Sequence, residues 1–86
     1  MGLDTVELIM SFEEQFGLEI PNASAEAMIT VRDVRDFVVS EYVRLGRPAD
    51  SGEIFEKIRD ITFNYANVRK DAIGLDTSFV EDLGLD

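Results

Sequence analysis

The chain has 86 residues, 45% hydrophobic and 30% charged, with 18 acidic against 8 basic side chains and a net charge of −10. That length holds one small domain, with a folded surface of roughly 5,000 Å² and little room for a deep catalytic cleft. There is no Cys and no His, which excludes disulfides, the usual zinc sites, Cys or His nucleophiles and Ser-His triads, and the negative charge opposes nucleic acid and anionic membrane surfaces.

Asp4 and Glu7 have the spacing of a capping box and predict a helix from there. Leu8, Phe12 and Phe16 recur at i, i+4 and i+8, with Val6, Ile9 and Met10 widening the stripe. Gly17 predicts a left-handed helix end, and Leu18 to Pro21 reads as extended because Pro21 biases Ile20 away from the helical region. A short helical turn is expected over Ser24 to Met28, with Ser24 as its cap. Thr30 and Asp33 predict the next helix start, and Val31, Val34, Phe37, Val38 and Tyr42 share its apolar side until Gly46 and Pro48 stop it. Ser51 is the expected cap of a third long helix with Ile54, Ile58, Ile61 and Tyr65 in register. Asn67 to Thr77 reads as an irregular loop, and Phe79, Val80 and Leu83 are the last core candidates.

The expectation is an all-α bundle of three main helices plus one short helix, with no strand. Val6, Phe12, Phe16, Ile20, Ile54, Ile58, Ile61 and Phe79 form its expected core. No apolar run approaches the ~20 residues needed to span a membrane, and no basic start or apolar signal region opens the chain, so membrane insertion is not expected and the cytoplasm is the default location. A monomer is expected.

The charge is unevenly placed. Residues 1–22 carry Asp4, Glu7, Glu13, Glu14 and Glu19 and no base, residues 71–86 carry Asp71, Asp76, Glu81, Asp82 and Asp86 and no base, and the middle is balanced. If the two ends meet, they make one acidic surface. Helical spacing groups Glu7 with Glu14, with Glu13 beside them. The group reads either as a solvated face or as a docking face for basic partners. No calcium-loop pattern accompanies these acids, and no constellation of nucleophile, base or metal suggests an enzyme.

Leu3 through Tyr42, beginning Leu-Asp-Thr-Val-Glu-Leu-Ile-Met-Ser-Phe-Glu-Glu-Gln-Phe-Gly-Leu-Glu-Ile-Pro, resembles the second half of an acyl carrier protein. Ser51-Gly52-Glu53-Ile54 and Thr77-Ser78-Phe79-Val80-Glu81-Asp82-Leu83-Gly84-Leu85-Asp86 resemble the start and end of that family's first half. The order is reversed, so the chain resembles a circularly permuted carrier: 1–42 match the family's C-terminal half, 43–50 form a linker, and 51–86 match the N-terminal half. In the family's Asp-Ser-Leu motif the Ser carries the phosphopantetheine arm. Asp86 and Leu3 match its flanks, and the Ser position falls on Gly2 or on nothing. Gly has no hydroxyl, so no cofactor is expected unless another Ser takes the arm. Ser51 after Asp50 mimics the motif faintly, while Ser11, Ser24, Ser40 and Ser78 have no motif. The resemblance implies that Asp4, Glu7, Met10, Glu13 and Glu14 dock basic patches of carrier-dependent enzymes of fatty-acid or polyketide type. It also implies an interior able to sequester an acyl chain, left as a latent cavity without an arm. Three alternatives stay open: a working carrier using Ser51 or a second chain, an orphan helical domain related only by ancestry, and an engineered permutant or a fragment spanning two tandem carriers.

Overall fold

Apolar residues at helical spacing build the helices of the computed structural model, which describes residues 3–85. Helix α1 spans Leu3–Phe16, α2 Asn22–Glu26, α3 Val31–Arg44 and α4 Ser51–Phe63, and a 3₁₀ turn occupies Lys70–Ala72. Three long helices and one short one, with no named strand among the described residues, are the expected all-helical bundle. The folded surface of 5168 Å² is close to the value expected from mass.

Each helix end follows from local chemistry. Gly17 adopts φ +64°, and Leu18 N donates to Glu13 O at 3.1 Å, which closes α1 in a Schellman turn. The capping box at α3 is complete: Asp33 N donates to Thr30 Oγ1, and Thr30 N donates back to Asp33 Oδ2 at 3.0 Å. The next unpaired donors of that helix start are met from far along the chain. Val31 N donates to Thr77 O and Arg32 N to Leu75 O, while Arg32 pairs with Asp76 at 3.0 Å. Phe79 N then donates to Ile29 O, so the 75–79 segment is pinned across the beginning of α3. Helix α4 packs against both α3 and α1.

Several local expectations are corrected. Asp50, not Ser51, caps α4, accepting from Glu53 N at 3.0 Å, because its carboxylate reaches the third amide from one residue earlier. Asp4 lies inside the first turn of α1 instead of capping it. The short helix begins at Asn22 after Pro21, whose fixed φ suits a helix entry, so Ser24 is interior to it. Val43 and Arg44 belong to α3, and Tyr65 lies beyond the end of α4. The 67–77 loop contains the 3₁₀ turn and buries Ile73 completely.

The core holds Phe12, Phe16, Ile20, Ile54, Ile58, Ile61 and Phe79, as expected, joined by Leu8, Val31, Val34, Val38 and Leu85. Val6 and Val80 are not core residues, being 38% and 60% exposed. Val6 sits at the edge of the apolar stripe of α1, and Val80 lies in the turn after Phe79.

Candidate functional site

Helix α1 turns Leu8, Phe12 and Phe16 inward, which forces the residues between them outward. Asp4, Glu7 and Glu14 are exposed, and Met10 is 60% exposed among them. Glu7, Met10 and Glu14 follow one another at i+3 and i+4, so they form one ridge, with Val6 beside Met10. Glu13 does not join it. Its Oε2 accepts from Ile20 N at 2.8 Å, tying the turn after α1 to the helix, and the side chain is half-buried. Sequence spacing placed Glu13 on the surface group; the amide of Ile20 claims its carboxylate instead.

The other end of α1 is held by cations from elsewhere in the chain. The helix has no basic residue in its last turn, yet Arg47 Nη1 donates to Phe16 O at 2.8 Å and Lys57 Nζ to Gln15 O at 2.8 Å. These carbonyls are among the four that a helix leaves unpaired, at the negative end of its dipole. Arg47 also stacks on the Tyr42 ring at 3.9 Å, Lys57 lies 5.0 Å from the Phe16 ring centre, and the Tyr42 hydroxyl donates to Phe16 O at 3.4 Å. The acidic ridge is thus anchored by a helix terminus that α3, α4 and the linker fix together. Nothing in the linker's composition signalled this beyond two Arg residues.

The serines are placed as follows. Ser51 is exposed in the first turn of α4, next to the capping Asp50. Ser78 is buried, with its Oγ accepting from Glu81 N at 3.1 Å and its amide donating to Asp82 Oδ2 at 2.7 Å. Ser11 Oγ and the Tyr65 hydroxyl share a hydrogen bond of 2.6 Å. Ser24 lies within α2 and Ser40 is exposed on α3. Gly2 and Asp86 lie outside the described residues, as does the meeting of Asp86 with Asp4. No cluster of three or more ligating side chains fit for a metal ion occurs among the described residues. No helix among them is long and apolar enough to cross a membrane.

Beside the acidic ridge lies a cavity of about 350 Å³. Leu8 and Phe12 of α1, Ala25 of α2, and Phe79 and Leu85 supply its buried wall. Ile29 and Val80 form an exposed apolar rim, and Glu26 is the charged residue on its lining. These residues come from three separated parts of the chain, so no local pattern could have outlined the space. It lies between α1, α2 and the 79–85 segment.

No protein-family model matches the chain, and no solved structure matches it. The chain is similar to an acyl carrier protein from Thermosynechococcus vestitus (strain NIES-2133 / IAM M-273 / BP-1), with 61% identity over 37 residues. The matched stretch is 43% of this chain and 46% of that relative, so the chain spans about half the length of the curated relative it matches.

Proposed function

We propose, from this kinship with the acyl carrier proteins, that the chain is a carrier-fold binding module in circularly permuted order. It lacks a phosphopantetheine arm and docks carrier-dependent enzymes of fatty-acid or polyketide type through α1. It acts as a cytoplasmic monomer and performs no catalysis itself.

The observation that carries the docking reading is the ridge of Glu7, Met10 and Glu14, exposed along a helix whose far end is locked by Arg47 and Lys57. An apolar centre between two carboxylates suits a basic patch with an apolar middle. Such a surface raises the encounter rate more than it tightens the complex. Two observations favour the permuted order. An alignment that runs in one direction can follow only one half of a permutant, and the match covers 43% of the chain. Phe79 and Leu85 also wall the same cavity as Thr5 and Leu8 of α1, which sets the 79–85 segment beside the start of α1 as the family's uncut order requires. The unarmed reading rests on Gly2, which has no hydroxyl to form a phosphodiester.

Charge reversal tests docking. E7K/E14K should slow association with basic carrier-dependent enzymes from the same cell by about tenfold or more at low salt, with a smaller effect at high salt. Association that is unchanged and indifferent to salt refutes the docking face. Incubation with coenzyme A and a broad phosphopantetheinyl transferase, followed by intact mass, tests the other half. A gain of one arm refutes the unarmed reading.

A further inference from the structure

Sulfur in this chain is confined to methionine. There is no Cys, and no Trp or His either, so the thioethers of Met1, Met10 and Met28 are its most readily oxidised side chains. Met1 lies outside the described residues. Met28 is half-buried, lines the cavity and packs against the core. Met10 is 60% exposed and stands outside the core cluster. Glu7 precedes it by three residues and Glu14 follows by four, both exposed, and Val6 lies one turn before it. The most accessible thioether among the described residues is thus the apolar centre of the acidic ridge.

We propose that Met10 is a peroxide modification site, and that its oxidation to the sulfoxide releases a docked partner enzyme; this second step rests on the docking reading of α1. The Met10 Sδ attacks one oxygen of hydrogen peroxide. The O–O bond breaks, an S–O bond forms, and the departing hydroxide takes the proton of the transferred hydroxyl and leaves as water. Sulfur loses two electrons and the peroxide gains them. Hydrogen peroxide is neutral, so Glu7, Glu14 and a net charge of −10 do not repel it, whereas they oppose anionic oxidants such as superoxide. The sulfoxide turns a flexible apolar side chain into a polar one and leaves both carboxylates charged. A partner surface with an apolar middle then buries an S–O oxygen that has no donor, while the carboxylates still steer the encounter. Oxidation therefore speeds dissociation and leaves association nearly alone, the reverse of charge reversal at Glu7 and Glu14.

Peroxide titration of the intact protein with peptide mapping reads the site. Met10 should gain one oxygen well ahead of Met28, with the circular dichroism unchanged. Surface plasmon resonance then reads binding to an immobilised carrier-dependent enzyme of fatty-acid type whose association E7K/E14K slows. The oxidised chain should dissociate about tenfold faster, the scale of one unpaired buried polar group, with association changed by less than about twofold. Methionine sulfoxide reductases A and B with dithiothreitol should restore both the mass and the rate. M28L should keep the peroxide response, and M10L, whatever its own affinity, should lose it. Met28 oxidised before or together with Met10, a loss of helical signal, a dissociation rate that peroxide leaves unmoved, or a response that persists in M10L would each overturn the proposal with docking intact. A parent chain that binds no such enzyme, or whose binding E7K/E14K leaves unchanged, refutes docking before any peroxide is added and takes the release step with it.

Discussion

Removing the Arg47 side chain tests whether the segment between α3 and α4 is a clamp or only a tether. Its guanidinium makes two contacts that R47A deletes: a hydrogen bond of 2.8 Å to Phe16 O and a stack 3.9 Å above Tyr42. A hydrogen bond from a charged donor is worth about 1.5–3 kcal/mol when well shielded. Arg47 is exposed, so about 1 kcal/mol is the fitting share. The stack adds about 0.5 kcal/mol at an exposed site. A loss of about 1.5 kcal/mol lowers the Tm of a domain this size by about 6–12 °C. R47K keeps the charge at the helix end but not the planar stack, and should recover about half of that loss. Thermal unfolding followed by circular dichroism reads both variants. An R47A midpoint within about 2 °C of the parent refutes the clamp. Lys57 still reaches Gln15 O in either variant, so α1 remains formed and the measurement isolates the linker's contribution.

Phe12 is fully buried, with ring centres 6.5 Å from Phe16 and 6.3 Å from Phe79. F12A should cost about 3–5 kcal/mol in urea unfolding, against a total of about 4–13 kcal/mol for a chain of this length; a cost under about 1 kcal/mol would mean the core refills around the gap. The Asp33 carboxyl is held below its ordinary 3.8 mainly by the Thr30 amide bonded to it, with burial opposing. A lowered folded value means the folded state binds fewer protons, so this stabilisation is complete above 3.8 and is lost as pH falls through the lower folded value. In urea titrations across pH, the gap between the parent and D33A should therefore narrow on the acid side, and a gap constant into acid contradicts the carboxylate's role.

Features set by neighbours a few residues apart were legible. Thr30 with Asp33, Gly17, Pro21 and the isoleucine stripe of α4 each act within about one turn, and each appears where spacing placed it. Asp50 and Ser51 show the limit of that logic: both are good caps, and only the backbone geometry decides which carboxylate or hydroxyl meets the third amide. Val6 was misread because periodicity reports a stripe but not how wide the opposing surface is, and Val80 because apolarity alone does not tell which side chains of a turn face inward. Glu13, Arg47 and Lys57 were illegible for a different reason. Each bonds a backbone group whose availability depends on where another helix stops. The cavity is the extreme case, since Leu8, Ala25 and Phe79 meet only after the whole chain has closed.

The order of elements also bears on how that cavity opens. About 70 residues separate Phe79 from Leu8, so their meeting closes a long loop, while the short 45–50 connection makes α3 and α4 neighbours in sequence. The 79–85 wall depends on Phe79 N to Ile29 O, Leu85 N to Phe79 O and side-chain burial. Helix α4 instead packs against both long neighbours. The wall should therefore open below the global unfolding free energy. Native-state hydrogen exchange reads this directly: the Phe79 and Leu85 amides should exchange well ahead of those of Ile58 and Ile61. Equal protection at all four would mean that the wall unfolds only with the whole bundle and that the cavity is as lasting as the core around it.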